Sequence, residues 1–438
     1  MSDNKHVLSL TDLFGMAIGC VIGTGVMVMT GIGIGFTGRS INVAYLIAVL
    51  IQIISSFAPV LMLSTARFTG GQYSQISILA GKAAGGIYTY LNLALTLQSV
   101  LTMLSLSQYA LSIFPNLNSK VFCLTILAVL ILLNATYLKS SAIVQNLMVV
   151  ILVVALGCYV VMGWPHLVDN YTAMPDFMPG GVIGLLQASI FVSSALGGAT
   201  YIADYSDRMK NPIRDMPIVI IGTTLGVGLL YFLIGTVAGG VLPVAEIANK
   251  PLSIGAASFM SGGMYTFFVV GGAIFALLTT INSGLGSKPY PMKVACNDGW
   301  LPKGLAVTNS KFGSPHWLYL AVFLMIAVPI ALNIDLSAIA TSVTLVFVCI
   351  RILMSIAAMR LPKVMPELWE KSKFHMSDGL LYTVCSISLL MNGISLVITL
   401  NGKGMTEILM NLGLLGICVI FTIIRYKKAH ISASYEAV

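Results

Sequence analysis

The stretch Gly19-Cys20-Val21-Ile22-Gly23-Thr24-Gly25-Val26 interrupts an apolar run near the start of the chain. A second stretch, Ser193-Ser194-Ala195-Leu196-Gly197-Gly198, interrupts another run about 170 residues later. Clustered glycine loosens a helix and bares its backbone polar groups. Such groups are tolerated at membrane depth only where they face protein or a wet cavity. Two breaks at corresponding places of two halves point to the binding site of a transporter.

Composition places these breaks in a membrane. Of 438 residues, 57% are hydrophobic and 9% charged, against about 25% charged in a soluble domain. The seven cysteines have no metal-ligand spacing, and all but Cys296 lie in apolar stretches, as packing residues do. No cofactor motif, phosphate loop or catalytic triad pattern is present. Met1 to Asp12 is polar and leads into an apolar run with no cleavage pattern, which predicts no signal peptide. The five histidines lie in tails, loops or at a segment start, which argues against a buried histidine relay, and the 23 methionines read as packing or lipid-facing residues.

A crossing needs roughly 20 apolar residues. Twelve segments qualify, at about 12–35, 41–65, 84–113, 120–138, 142–164, 183–205, 217–241, 264–286, 315–333, 337–358, 379–400 and 405–425. With the N-terminus in the cytoplasm, the outer loops hold only Arg39, Lys120, Lys250 and Lys403 of the 23 Lys and Arg. This asymmetry predicts both termini inside, in a cell (inner or plasma) membrane. The net charge of +8 therefore reports topology and not a nucleic-acid partner. Segments 1–5 overlay segments 6–10, and because five is odd the second set is inverted. The expected fold is an all-α membrane protein of twelve helices, a 5+5 inverted repeat with discontinuous helices 1 and 6 and two extra C-terminal helices. Its parts are a cytoplasmic tail (1–11), the first repeat (12–164), an outer loop (165–182), the second repeat (183–358), a cytoplasmic loop (359–378), segments 11–12 (379–425) and a tail (426–438).

Past the first break, the outer half-helix would begin near Thr24, Gly25 and Val26 with unpaired N–H groups, an anion site suited to a carboxylate. Gly23 and Gly25 admit a ligand to the backbone, and the Thr24 hydroxyl adds a donor. The carbonyls of Val21 and Ile22, with those around Ser193, Ser194 and Ala195 before Leu196 and Gly197, suit an ammonium group. Together the breaks would grip a zwitterion by its main-chain groups. No charged residue is expected at the middle of a segment, which favours a substrate whose side chain carries no net charge. Asp204 and Asp207, near Lys210–Arg214, are candidates for an inner gate. Gln98 and Thr102, with Ser99, would line the side-chain end of the pocket or bond between helices.

At these residues the chain resembles the amino acid–polyamine–organocation (APC) superfamily of permeases. Gly23-Thr24-Gly25-Val26 is similar to the family's Gly-Ser/Thr-Gly-hydrophobic break, and Gly70-Gly71-Gln72-Tyr73 to its Gly-Gly-x-Tyr loop. Asp204 with Lys210-Asn211-Pro212 and Met216-Pro217 resembles the punctuation after segment 6. Asn297-Asp298-Gly299-Trp300-Leu301-Pro302 resembles the Asp-Gly-x-x-Pro loop after segment 8. The resemblance implies a five-plus-five inverted repeat with alternating access around a mid-membrane amino acid or amine. Two departures stand out. Leu152 occupies the place of the segment 5 lysine that some members direct at the first break. Ser193 stands where arginine–amine exchangers carry a tryptophan. Sodium-coupled relatives of this architecture use hydroxyls on segment 8, which makes Thr279, Thr280 and Ser283 weak sodium candidates beside their reading as packing or back-bonding hydroxyls.

The expected function is secondary transport of a small neutral amino acid by exchange or facilitation, with no catalysis. Sodium- or proton-coupled symport and amino acid–amine antiport are the alternatives. The expected partners are the solute, the lipid bilayer and, through small packing faces, a second copy in a homodimer.

Overall fold

The computed structural model describes residues 9–136, 141–209, 211–310, 312–332, 336–401 and 403–436, with the backbone alone described at 24, 141–145, 204–208, 212, 336–338 and 436. The chain is almost wholly helical. Among the described residues, eleven helical runs are long and apolar enough to cross a bilayer. A twelfth apolar helix, His316–Ala331, is shorter. Its 16 residues rise about 24 Å, less than the roughly 30 Å hydrocarbon core.

Segment 1 is broken. Ser9 caps its first helix, Leu10–Val21, in a reciprocal capping box with Asp12, and Asn146 of segment 5 donates to Asp12 Oδ1 at 3.2 Å. Ile22 then takes an extended conformation, φ −79° and ψ 101°. One turn follows, Thr24–Met27, then a second helix, Met29–Thr37.

Segment 6 differs from the sequence expectation. It does not unwind at Ser194–Gly198. The α-helix Gly181–Ser193 passes directly into a 3₁₀-helix over Ser194–Arg208. A run of that length is unusual, since 3₁₀ stretches beyond three or four residues are uncommon and often mark a hinge. Small residues permit the tighter winding. The hydroxyls of Ser193, Ser194 and Thr200 each bond back three residues, to Ile190, Phe191 and Gly197 carbonyls at 2.7–2.8 Å, the spacing that 3₁₀ geometry presents.

The remaining segments form the walls. Segment 2, Ile41–Thr65, packs along segment 7, Pro212–Gly240, where a Cβ on Gly228 would collide with Val49. Segment 3 runs from Lys82 to Leu111 with a discontinuity at Leu95. Segment 8 begins at Gly262, winds as a π-helix over Phe268–Ile274 and returns to α over Phe275–Ser287. Between segments 7 and 8, two short helices cross the end of the molecule, and the Asn249 N–H donates to Gly31 O at 2.8 Å.

The last residues do not trail away. Arg67–Phe68 after segment 2 pairs antiparallel with Tyr435–Glu436. Asp298 fastens this region: its Oδ2 accepts from the Tyr73 hydroxyl at 2.6 Å, and its Oδ1 accepts from the Ser432 N–H at 2.9 Å and from the Ser432 hydroxyl. Burial and the facing Asp298 carboxylate push the Tyr73 phenol well above its ordinary pKa, so it serves as a donor. The two loop motifs Gly70–Tyr73 and Asn297–Pro302 thus meet at one carboxylate. Tyr73→Phe removes a bond to a charged acceptor, worth about 1.5–3 kcal/mol. It is expected to lower the unfolding midpoint of detergent-solubilised protein by on the order of 2 °C, measured by intrinsic fluorescence. An unchanged midpoint would show that the tether carries no stability.

Candidate functional site

The broken backbone of segment 1 is held by hydroxyls from four other segments. Thr280 of segment 8 donates toward Gly19 O at 3.1 Å and Ile22 O at 3.2 Å. Tyr231 of segment 7 donates to Val21 O at 2.8 Å. Tyr109 of segment 3 donates to Met27 O at 2.6 Å. Tyr45 of segment 2 reaches Gly25 O at 3.4 Å and bonds Thr30 at 2.7 Å. These tyrosines are fully buried, and a buried phenol needs such a partner. Backbone carbonyls freed at membrane depth would otherwise cost several kcal/mol each.

Glycines set how closely segments 1 and 6 approach. A Cβ on Gly25 would collide with the Ala195 Cβ, one on Gly198 with Cys20 O, and one on Gly23 with the Thr280 hydroxyl. Segments 1 and 6 therefore touch at two levels, Gly25 against the Ala195 methyl and Gly198 against the Cys20 backbone.

Three cavities surround this crossing. The innermost, about 10 Å³, is lined by Val21, Gly25, Ser194, Ala195, Gln98 and Thr280, among others. The second, about 30 Å³, extends from Cys20 and Thr280 past Gln98, Ser99 and Thr102 to Ser287 and Lys288. The third, also about 30 Å³, lies on the other side of segment 6 between Gln52, Gly197, Tyr201, Phe347 and Arg351. Each has room for about a water molecule, so the walls are drawn together in this conformation.

Several of the residues singled out in the sequence converge here. Val21, Gly25, Ser194, Ala195 and Gln98 share the inner cavity, and Thr102 joins Gln98 in the second. Gly197 faces the third cavity instead, 3.7 Å from Arg351 by a Cβ placed on it. Ile22, Val26 and Leu196 are fully buried in the packing. The side chains of Thr24, Asp204 and Asp207 lie outside the described residues. On segment 8, Thr279 bonds back to Ala276 O at 2.9 Å, Ser283 is buried, and the Thr280 hydroxyl sits on the segment 1 carbonyls. Among the described residues, no group of three or more His, Cys, Asp or Glu is placed to hold a metal ion.

The charge expectation is overturned. Arg351 and Lys288, which the sequence reading assigned to cytoplasmic loops, are buried beside the crossing, 8% and 9% exposed. Arg351 lies within the helix Leu336–Ala358. Its guanidinium donates to Ser193 O at 2.9 Å, to Ser193 Oγ at 3.1 Å and to Gln52 Oε1. A cation on the last carbonyl of an α-helix is matched to the helix dipole. Lys288 follows Ser287, and the helix Pro289–Asn297 begins directly after it. The premise for a side chain without net charge, an uncharged middle, therefore fails. The sequence did hold a signal for Arg351, seven residues inside the end of an apolar helix. Lys288 was masked by the adjoining Pro289, which reads as a loop but occupies a helix start.

Comparison with known proteins agrees with this architecture. The model of the amino acid permease family matches residues 8–424. The chain belongs to that family, within the APC superfamily. It is 25% identical over 390 residues to the methylthioribose transporter of Bacillus subtilis (strain 168), covering 83% of this chain and 82% of that protein. It is 25% identical over 334 residues to the branched-chain amino acid permease BcaP of the same organism, 71% of each chain. It is also 25% identical over 369 residues to the vacuolar cationic amino acid transporter 2 of Arabidopsis thaliana, 77% of this chain and 57% of that one. The protein is a multi-spanning membrane transporter of amino acids or related solutes, and not an enzyme.

Gly25→Ala tests the crossing. Overpacking at such a contact costs about 1–3 kcal/mol and is expected to reduce labelled amino-acid uptake by roughly tenfold. Ala195→Gly in the same chain removes the colliding Cβ and should restore much of it. Full activity of the single variant would contradict the close approach.

Proposed function

We propose that this protein is a secondary amino-acid transporter that works by exchange or facilitated alternating access, with both termini in the cytoplasm. Twelve crossings arranged as a 5+5 inverted repeat account for the eleven long apolar runs, the shorter His316–Ala331 and the Lys/Arg asymmetry of the loops. The observation that carries the reading is the inner cavity, where Val21 and Gly25 of a broken helix face Ser194 and Ala195 at the point where segment 6 changes winding.

The substrate α-carboxylate lies at the amides of Thr24, Gly25 and Val26, where a helical turn starts and has no internal acceptors for its first N–H groups. The α-ammonium uses the second lone pairs of the Val21 and Ile22 carbonyls, whose first are taken by Tyr231 and Thr280. Alternating access is a change in how the 3₁₀ stretch of segment 6 leans on segment 1, with Asp204 and Asp207 at its far end as gate residues. The Thr280 hydroxyl donates to Gly19 O and Ile22 O and so satisfies these bared carbonyls from within the chain, which supports exchange that needs no sodium.

Proteoliposomes loaded with single amino acids test this. Uptake of labelled substrate should saturate, accelerate with amino acid on the far side, and persist without sodium or proton gradients. Uptake that rises linearly with concentration and ignores internal amino acid would overturn the proposal.

A further inference from the structure

Lys288 is a buried lysine whose side-chain nitrogen has no hydrogen-bond acceptor among the described residues. An ionisable group inside a membrane protein ordinarily pairs with another or with backbone carbonyls, or it marks a solute pathway. Arg351 follows the first rule, with three acceptor contacts. Lys288 follows the second: it lines the cavity that begins at Cys20 and Thr280 beside the helix break and passes Gln98, Ser99 and Thr102. Among the described residues, those that line this cavity include no Asp or Glu.

The spacing suits a solute that reaches from the break to Lys288. Lys288 follows Thr280 by eight residues, about 12 Å along a helix. Helical side chains lean toward the N-terminus, which here carries the ammonium back toward Thr280 by much of its four-carbon stem. Lys288 and the break, where the α-groups of an amino acid are proposed to sit, thus border one cavity, which Cys20 and Thr280 line on the side of the break. Asn92, Gln98, Ser99, Thr102 and Ser287 supply neutral hydrogen-bonding walls along that cavity.

We propose that Lys288 is a specificity-determining residue that pairs with a second, side-chain carboxylate of the solute, so that the protein carries acidic amino acids in preference to their amides. This rests on the transporter reading above. The solute brings the counter-charge on entry, and the lysine is left unpaired when it departs. A small inorganic anion such as chloride offers the same chemistry, and the experiment separates the two.

Reconstituted full-length protein is assayed by counterflow with labelled glutamate, aspartate, glutamine and leucine, in chloride and in gluconate. The expected result is exchange of acidic amino acids at a KM at least about tenfold below that of glutamine, equal in both salts. Lys288→Met should raise the KM for glutamate by tenfold or more while leaving glutamine exchange measurable, and Lys288→Arg should keep the preference. Elution of each variant as a monodisperse peak shows that it folds. Equal handling of glutamate and glutamine, or an acid-to-amide ratio unchanged in Lys288→Met, overturns the proposal while the transporter reading stands. Chloride dependence lost in Lys288→Met, without acidic preference, also overturns it in favour of an inorganic anion site. Absence of exchange with every amino acid overturns both readings.

Discussion

A helix opened inside a bilayer must find donors for the carbonyls it bares, and this requirement organises the molecule. At Ile22 the first segment leaves helical geometry. Its carbonyls are met by Thr280, Tyr231, Tyr45 and Tyr109, from segments 8, 7, 2 and 3. Each hydroxyl satisfies a polar group and fixes the position of a wall. The break is thus an element around which the surrounding helices are registered, and its cost is offset by bonds that also define the cavity.

Segment 6 solves the same problem differently. It keeps its hydrogen bonds by winding more tightly, and Arg351 occupies the end of its α-helical half. Burying a guanidinium is costly unless its donors are paired, and the Ser193 and Gln52 oxygens pair them here. Removing either partner would strand a charge, so segments 2, 6 and 10 are coupled at this point. The guanidinium thus fastens the α-to-3₁₀ junction of segment 6 to segments 2 and 10.

Much of this was legible in the sequence. The apolar segments and a break beside Gly23 follow from composition and glycine placement, whereas Gln98 and Thr102 were equally readable as pocket lining or as bonds between helices. The pairing of the Gly70–Tyr73 and Asn297–Pro302 motifs was not readable, because it depends on Asp298 meeting Tyr73 across 225 positions. The winding of segment 6 was misjudged because Ser-Ser-Ala-Leu-Gly-Gly is compatible with an open break and with a tight helix, and contacts such as that of Gly198 with Cys20 are not written in the local sequence. The buried charges were missed for a related reason. A lysine or arginine near a segment end is ordinarily at the surface, and burial of Arg351 depends on an acceptor set drawn from two distant segments.

The most direct test is an experimental structure with a transported amino acid bound. The account predicts segment 1 open at Ile22–Gly23, with the solute carboxylate within hydrogen-bonding distance of the Thr24–Val26 amides and its ammonium facing Val21 and Ile22. Segment 1 helical without interruption through Gly23, or solute density in the cavity beside Gly197 and Arg351 instead, would contradict it.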